Sequence, residues 1–239
     1  MAIQGVFKRY EKKYVLTPEQ FEQITPELTE HMKLDEYGLH TICSLYYDTP
    51  DKDLIRASIE KPVYKEKLRL RSYGKECTAD SIVFIELKKK YKGIVYKRRV
   101  TMTLCDAKKY IQGIRPENET QIMREIDWFL DFYKPVPSTL VAYDRLAYFG
   151  NDDENFRVTF DKNIRCRDYD LDLELGDFGE VITDEGYSVM EIKTTGAIPL
   201  WLCDLLTKLE IYPASFSKYG TFYTQTLLKT HSQEVYTNA

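Results

Sequence analysis

Lysine and arginine recur at alternate positions in several stretches of this 239-residue chain. Lys67, Arg69 and Arg71 form one set, Lys88 and Lys90 a second, and Lys97 and Arg99 a third. Alternate side chains of an extended strand share one face, so each set aims its cations together while Leu68 and Leu70 point the other way. The planar fork of arginine stays charged and can hold two phosphate oxygens at once. Glu-x-Lys also appears three times at such positions, as Glu11-Lys12-Lys13, Glu86-Leu87-Lys88 and Glu191-Ile192-Lys193. Carboxylates beside cations suit a divalent ion bound together with phosphates. In any single strand this pattern also describes the solvated face of an ordinary antiparallel sheet. Its recurrence, and the heavy use of Arg, favour an anion site.

The charge is unevenly distributed. Tyr64 to Arg99 holds 12 basic and 4 acidic residues, a net +8, in a chain whose net charge is −4. The basic residues are interleaved with Leu, Ile, Val and Phe at strand spacing, which marks a folded segment rather than a tail. The same alternation recurs at Arg9, Glu11 and Lys13, at Tyr143 and Arg145, at Arg157, Thr159 and Asp161, at Arg165 and Arg167, and at Glu191 and Lys193. If these faces line a barrel, their mutual repulsion calls for a polyanion or interspersed carboxylates. A triphosphate with Mg²⁺ or Mn²⁺ meets that need. The acidic overall balance and the lack of a nucleic-acid motif argue against DNA or RNA as the partner.

The elements that must position these groups are mostly strands. Period-2 patterning predicts them at Val6 to Leu16, Thr41 to Asp48, Val63 to Ser72, Ile82 to Lys89, Val95 to Met102, Thr139 to Phe149, Arg157 to Asp161 with Ile164 to Asp168, and Tyr187 to Lys193. A helix opens at Thr17-Pro18-Glu19-Gln20, where the spacing fits a capping box with Pro at the first helical position. Further helices follow Thr49-Pro50-Asp51, fill Asp106 to Tyr133 with a break near Gly113 to Pro116, span Pro199 to Leu209, and run from Ser217 to about Lys229. No repeat, low-complexity tract or Gly/Ser/Pro-rich linker divides the chain. The expected architecture is α+β: a single domain, 1–239, built on an antiparallel β-barrel tunnel of about eight strands with peripheral helices, since closure removes exposed edges.

Other features carry less chemistry. Cys43, Cys77, Cys105, Cys166 and Cys203 are an odd, scattered set, which fits buried thiols better than disulfides or a zinc site. With no long apolar run and no apolar signal-peptide core, the reading is a soluble, cytoplasmic protein. The acidic alternation Asp168, Asp170, Asp172 and Glu174 reads as a strand with a solvated face. His31, His40 and His231 have no metal-ligand spacing, and Trp128 and Trp201 read as core.

The first-strand Glu11-Lys12-Lys13 resembles the mark of the triphosphate tunnel metalloenzymes, Glu-x-Glu-x-Lys or a shortened Glu-x-Lys. Within that superfamily the chain is similar, from Phe7 to about Thr226, to the VTC domain, the polyphosphate polymerase module of vacuolar transporter chaperone complexes. The similarity is carried by Arg9-Tyr10-Glu11-Lys12-Lys13-Tyr14, Lys67-Leu68-Arg69-Leu70-Arg71-Ser72-Tyr73-Gly74, Glu86-Leu87-Lys88, Tyr143-Asp144-Arg145, Arg157-Val158-Thr159-Phe160-Asp161, Met190-Glu191-Ile192-Lys193 and Ser215-Phe216-Ser217-Lys218-Tyr219.

The resemblance implies a tunnel that takes the γ-phosphate of ATP and extends a polyphosphate chain, releasing ADP. It implies phosphate contacts from Lys13, Arg69, Arg71, Lys88, Arg145, Arg157 and Lys218, further ligands in Tyr143 and Ser217, and a Mn²⁺ or Mg²⁺ ion on Glu191. Lys67, Arg99 and Lys193 join the binding set by their strand positions, and Glu11 and Glu86 join the metal set. Lys218, Arg69, Arg71 and Arg145 are the candidates nearest the transferred phosphoryl, Lys218 foremost. Implied partners are ATP and inorganic polyphosphate or triphosphate, with room for a membrane-protein partner. Ser215 stands where the family often has a basic residue, and Arg9 where the fuller motif has its leading Glu. Fewer carboxylates speak against a two-metal triphosphatase and for a polymerase. Hydrolysis in the same tunnel, or retention of polyphosphate or an inositol phosphate without turnover, are the competing readings.

Overall fold

A computed structural model describes residues 10–92, 94–116 and 119–237, with side chains taken to 226 and at Lys229. Residues 6–9, including Arg9, and the side chain of His231 lie outside what is described. In chain order the elements are β1 (Tyr10–Leu16), α1 (Pro18–His31), β2 (Met32–Leu34), β3 (His40–Asp48), α2 (Asp53–Ile59), β4 (Tyr64–Tyr73), β5 (Ile82–Tyr91), β6 (Ile94–Thr103), α3 (Leu104–Ile111), α4 (Gln121–Tyr133), β7 (Val136–Gly150), β8 (Arg157–Arg167), β9 (Glu180–Val181), β10 (Ser188–Thr194), α5 (Leu200–Lys208) and α6 (Lys218–Thr237). The sheet is antiparallel in the order β1-β10-β8-β7-β3-β4-β5-β6, with β2 added to β7 and β9 to β8.

This is the α+β architecture read from the pattern, in the form of a curled half-barrel. Among the described residues, β1 and β6 end the path and do not pair with each other. Curling brings β5 towards β1 all the same, since Lys88 Nζ lies 3.9 Å from Glu11 Oε2. The edge of β1 is covered by chain instead: Ala214 N–H donates to Lys13 O at 2.7 Å, and Tyr14 bridges Pro213. The β6 edge carries Lys97, Arg98 and Arg99, charges that discourage pairing with another sheet.

Alternation sorts the side chains onto two faces. On the convex face, Leu45, Leu68, Leu70, Val83, Ile85 and Leu87 pack against Met123, Ile126, Phe129 and Leu130 of α4. Tyr14, Leu16, Phe160, Met190 and Ile192 pack against Ile24 and Leu28 of α1 and Leu202, Leu205 and Leu206 of α5. The predicted capping box starts α1: Thr17 Oγ1 accepts from Gln20 N–H at 3.2 Å and Gln20 Oε1 from Thr17 N–H at 3.1 Å. On the concave face, Ile42, Val141, Tyr143 and Val189 meet Phe222 of α6 and Phe216 just before it, so α6 lies across one end of the trough.

Three features depart from the sequence reading. The acidic stretch after Arg167 is no strand but a loop with a 3₁₀ turn at Leu173–Leu175. Arg167, 1% exposed, gathers it by donating to the carbonyls of Asp170, Asp172, Gly176 and Phe178. Arg165 and Arg167 also leave the face of Arg157 and Asp161. Asn163, at φ 48°, inserts an irregularity against β7 that flips the side-chain parity, and Arg165 pairs instead with Asp144 and Asp177. Finally, Trp128 is 53% exposed and stacks on Phe132, so it is not core, whereas Trp201 is half-buried, stacks on His31 and packs against the α1–α5 core cluster. All five thiols are free; Cys43, Cys77 and Cys166 are buried and the other two half-buried. No helix among the described residues is long and apolar enough to cross a membrane.

One buried carboxylate joins the helices to the sheet. Asp48, fully buried at the end of β3, accepts from the backbone N–H groups of Thr49, Leu54 and Ile55 at 2.8–3.0 Å and from Tyr219 OH at 2.9 Å. It ties the start of α2 to the start of α6. Asp48→Ala is expected to lower the unfolding free energy by about 3 kcal/mol, measured by urea denaturation, because it strands several buried donors. Thr17→Ala, which removes only a helix cap, should cost about 1 kcal/mol.

Candidate active site

Strand register assembles the site. Lys13 stands opposite Glu191, Glu11 opposite Lys193, Arg69 opposite both Glu86 and Tyr46, Arg71 opposite Ser44, Lys88 opposite Lys67 and Lys97, Arg99 opposite Glu86, and Arg145 opposite Asp161. All of these side chains belong to the concave face. The odd positions of β4 and the even positions of β5 turn inward because Leu68, Leu70, Ile85 and Leu87 are claimed by the convex core.

Three carboxylates organise the cations. Glu86, 1% exposed, is the first. It receives Arg69 Nε at 2.8 Å and Nη2 at 2.6 Å on Oε2, and Arg99 Nε at 2.7 Å and Lys97 Nζ at 2.5 Å on Oε1, with Arg71 Nη1 3.7 Å away. Burial works to raise its pKa, but Arg69, Arg71 and Lys97 outweigh that and hold it far below the carboxylate range. Asp161, fully buried, is the second: Arg145 grips it with both arms at 2.6 and 2.8 Å, and Lys218 Nζ reaches it at 2.5 Å from the first turn of α6. Burial raises the Asp161 carboxyl, yet Arg145 and Lys218 bring it down to about 2. Glu191 is the third, 3.0 Å from Lys13 and 2.8 Å from Lys193. Opposed by burial, these two lysines hold it well below its ordinary value.

Aromatic rings floor the trough. Tyr143 lies under both Arg145 and Lys218, 5.1 and 4.5 Å from its ring centre, and its hydroxyl accepts from Arg71 Nη2 at 3.1 Å. Lys67 has a different setting. Its ammonium stands 6.0 Å from the Tyr219 ring centre, and burial together with Lys65, Lys88 and Lys13, only partly offset by Tyr46, pushes it down to about 8. Lys97 is driven down to about 7, burial and Arg69 and Arg99 outweighing Glu86. Lys88 is lowered as well, by burial ahead of its neighbouring cations. These three resist carrying charge together without further anionic partners.

The remaining candidates lie at the margins. Arg157 stands opposite Lys193 with its guanidinium 4.2 Å from the Phe149 ring centre. Ser217 is exposed ahead of α6, where its Oγ accepts from Gly220 N–H at 3.3 Å and caps the helix. Glu11 and Glu191 come near each other around Lys13, at 3.7 and 3.0 Å, whereas Glu86 is enclosed by its four cations on the other side. Among the described residues no three His, Cys, Asp or Glu side chains gather as a ready metal cage. A cleft of about 270 Å³ lined by Tyr10, Lys12, Ile192 and Thr194 lies on the convex side and shares no residue with the charged trough.

The VTC domain family profile matches residues 8–227. The chain belongs to the VTC domain family. The match spans every strand of the half-barrel and the first half of α6, so the trough and Lys218 fall inside the VTC domain. Among solved structures, a candidate adenylate cyclase from Bacillus halodurans shares the fold: TM-score 0.54, 14% identity, with 90% of this chain and 96% of that one covered. A candidate adenylate cyclase from Vibrio parahaemolyticus aligns at TM-score 0.49 and 12% identity, over 92% of this chain and 99% of the other. The mimivirus capping enzyme triphosphatase aligns at 0.34 and 10%, over 83% and 87%. No curated protein matches the sequence.

Asp161 was absent from the candidate set, although the alternation Arg157, Thr159, Asp161 put it on the right face. Its depressed pKa contributes stability that is full above the unfolded value of about 4 and is lost as pH falls through about 2. Asp161→Asn should therefore destabilise the protein at pH 7, with the gap from wild type closing between pH 4 and pH 2 in pH-dependent urea titrations. A gap that is constant with pH would contradict the ion-pair geometry.

Proposed function

We propose that this VTC domain is a polyphosphate polymerase that transfers the γ-phosphate of ATP to a growing inorganic polyphosphate chain and releases ADP. One observation carries the reading: Lys13, Lys67, Arg69, Arg71, Lys88, Arg145 and Lys218, from five separate elements, converge on a single concave face. Phosphoryl transfer asks little covalent work of a protein. Alignment of donor and acceptor phosphates and neutralisation of the developing charge supply most of the catalysis.

Roles follow from position. Arg69 and Arg71 carry fixed guanidinium forks at the centre of the trough, suited to bridging oxygens of successive phosphates. Lys218 and Arg145, held side by side by Asp161, face the transferring group. Lys67, Lys88, Lys97 and Arg99 track the chain on one side, and Lys193, Arg157 and Ser217 on the other.

The donor set also fits a divalent ion. Glu11 and Glu191 offer hard oxygens at neighbouring rungs of the β1–β10 ladder, and the ammonium groups of Lys13 and Lys193 stand against them where a cation is favoured. Two carboxylates with phosphate oxygens completing the shell is the usual way Mg²⁺ is held, and Mn²⁺ accepts the same ligands. Such an ion would neutralise phosphate charge. Glu86, already compensated by Arg69, Arg71, Lys97 and Arg99, serves better as their counter-ion than as a metal ligand.

Incubation with ATP and Mn²⁺ should yield ADP and long chains on a gel. Free phosphate without chains would favour a hydrolase, and binding without turnover a sensor module. Arg69→Ala and Lys218→Ala should each cost turnover about 3 kcal/mol or more while leaving the far-UV circular dichroism unchanged. Tripolyphosphate affinity, followed by calorimetry, should fall as pH rises from 7 to 9. Lys67 near 8 and Lys97 near 7 lose their charge in that window, and a polyanion must then pull protons back onto them.

A further inference from the structure

Tyr46 is a group the sequence reading left unassigned, in a run, Ile42 to Tyr47, that looks like an ordinary buried strand. It is half-buried on the concave face, directly opposite Arg69 in the β3–β4 ladder and Thr139 in the β3–β7 ladder. Its surroundings define it. Glu86 covers one edge of the Arg69 guanidinium through Nε and Nη2, and the Tyr46 hydroxyl accepts from Nη1 at 3.1 Å on the other. The Tyr46 ring rests on the Tyr219 ring at 5.1 Å, beside the Lys218 turn. The charged groups acting on it are Lys67, Arg69 and Arg71 from β4 and Lys13 from β1, while α6 supplies Tyr219 and β7 the neutral Thr139.

We propose that Tyr46 is a further substrate-contacting residue: its oxygen occupies the free edge of Arg69 in the unliganded trough and, as a phosphate chain takes that edge, turns to donate a hydrogen bond to it. The inference rests on the trough being a polyphosphate site, whatever its turnover. Only a phenol that carries its proton can donate to a phosphate oxygen, so entry of the chain fixes the protonated form. In the free protein, burial raises the Tyr46 pKa, but Arg69, Arg71 and Lys67 outweigh it and bring the phenol to about 8. Above that pH a phenolate offsets part of the charge of Arg69, Arg71 and Lys67. Polyanion binding then draws one proton from solvent onto Tyr46.

Tyrosinate absorbs at wavelengths where tripolyphosphate is transparent, so the exchange is visible directly. Wild-type protein should show a tyrosinate step near pH 8. Saturating tripolyphosphate at pH 9 should bleach it by one tyrosinate equivalent. Tyr46→Phe keeps the stacked ring and should lose both the step and the bleach. At pH 7 it should bind tripolyphosphate about tenfold more weakly, the value of one hydrogen bond to a charged group, and its affinity should fall less steeply from pH 7 to 9. Unchanged bleaching in Tyr46→Phe, or wild-type affinity at pH 7, overturns the assignment of Tyr46. Failure of wild type to bind tripolyphosphate overturns the underlying reading of the trough instead.

Discussion

Like charges crowded on one concave surface repel, and the trough exists because buried carboxylates are spaced among them. Glu86 balances Arg69, Arg71, Lys97 and Arg99; Asp161 balances Arg145 and Lys218; Glu191 balances Lys13 and Lys193. Each is protected from water and flanked by strands that cannot slide without turning their apolar side chains out of the convex core. The balance is incomplete at Lys67 and Lys88, whose ionisation is opposed by burial and by other cations. A concave face that gathers so many cations and is short of negative charge suits a polyanion.

The helices complete the trough rather than merely surround it. α6 crosses one end, where Phe222 meets Ile42, Val141 and Val189, and its first residue is the lysine that reaches Asp161. That reach depends on the next residue. Tyr219 is buried between Ser138 and Asp48, and Asp48 simultaneously caps α2, so the position of Lys218 is set by a carboxylate outside the charged face.

Much of this was legible in the order of residues, for a physical reason. Period-2 alternation is strong wherever one face is apolar and the other charged, as in Lys67 to Arg71 of β4 and Ile85 to Lys88 of β5. The capping box of α1 was equally plain. What escaped depended on contacts distant in sequence. The loop wrapped around Arg167 looked like another alternating strand because its organising bonds run from one guanidinium to backbone carbonyls. β2 and β9 are too short to show a period. Asn163 shifts the face of Arg165 and Arg167 through a positive φ that composition does not announce. Asp161 and Tyr46 were visible as residues, but their roles appear only once β7, β4 and α6 bring cations to them. Closure of the barrel was anticipated by pairing; the chain covers the β1 edge with the Pro213 and Ala214 backbone instead.

A crystal structure of the protein with tripolyphosphate and Mn²⁺ tests the central claim most directly. The account predicts phosphates along the concave face between Arg69, Arg71, Lys88, Arg145 and Lys218, with the ion against Glu11 and Glu191. Phosphate density on the convex side, or a trough whose ion pairs stay shut while the ligand binds elsewhere, would contradict it.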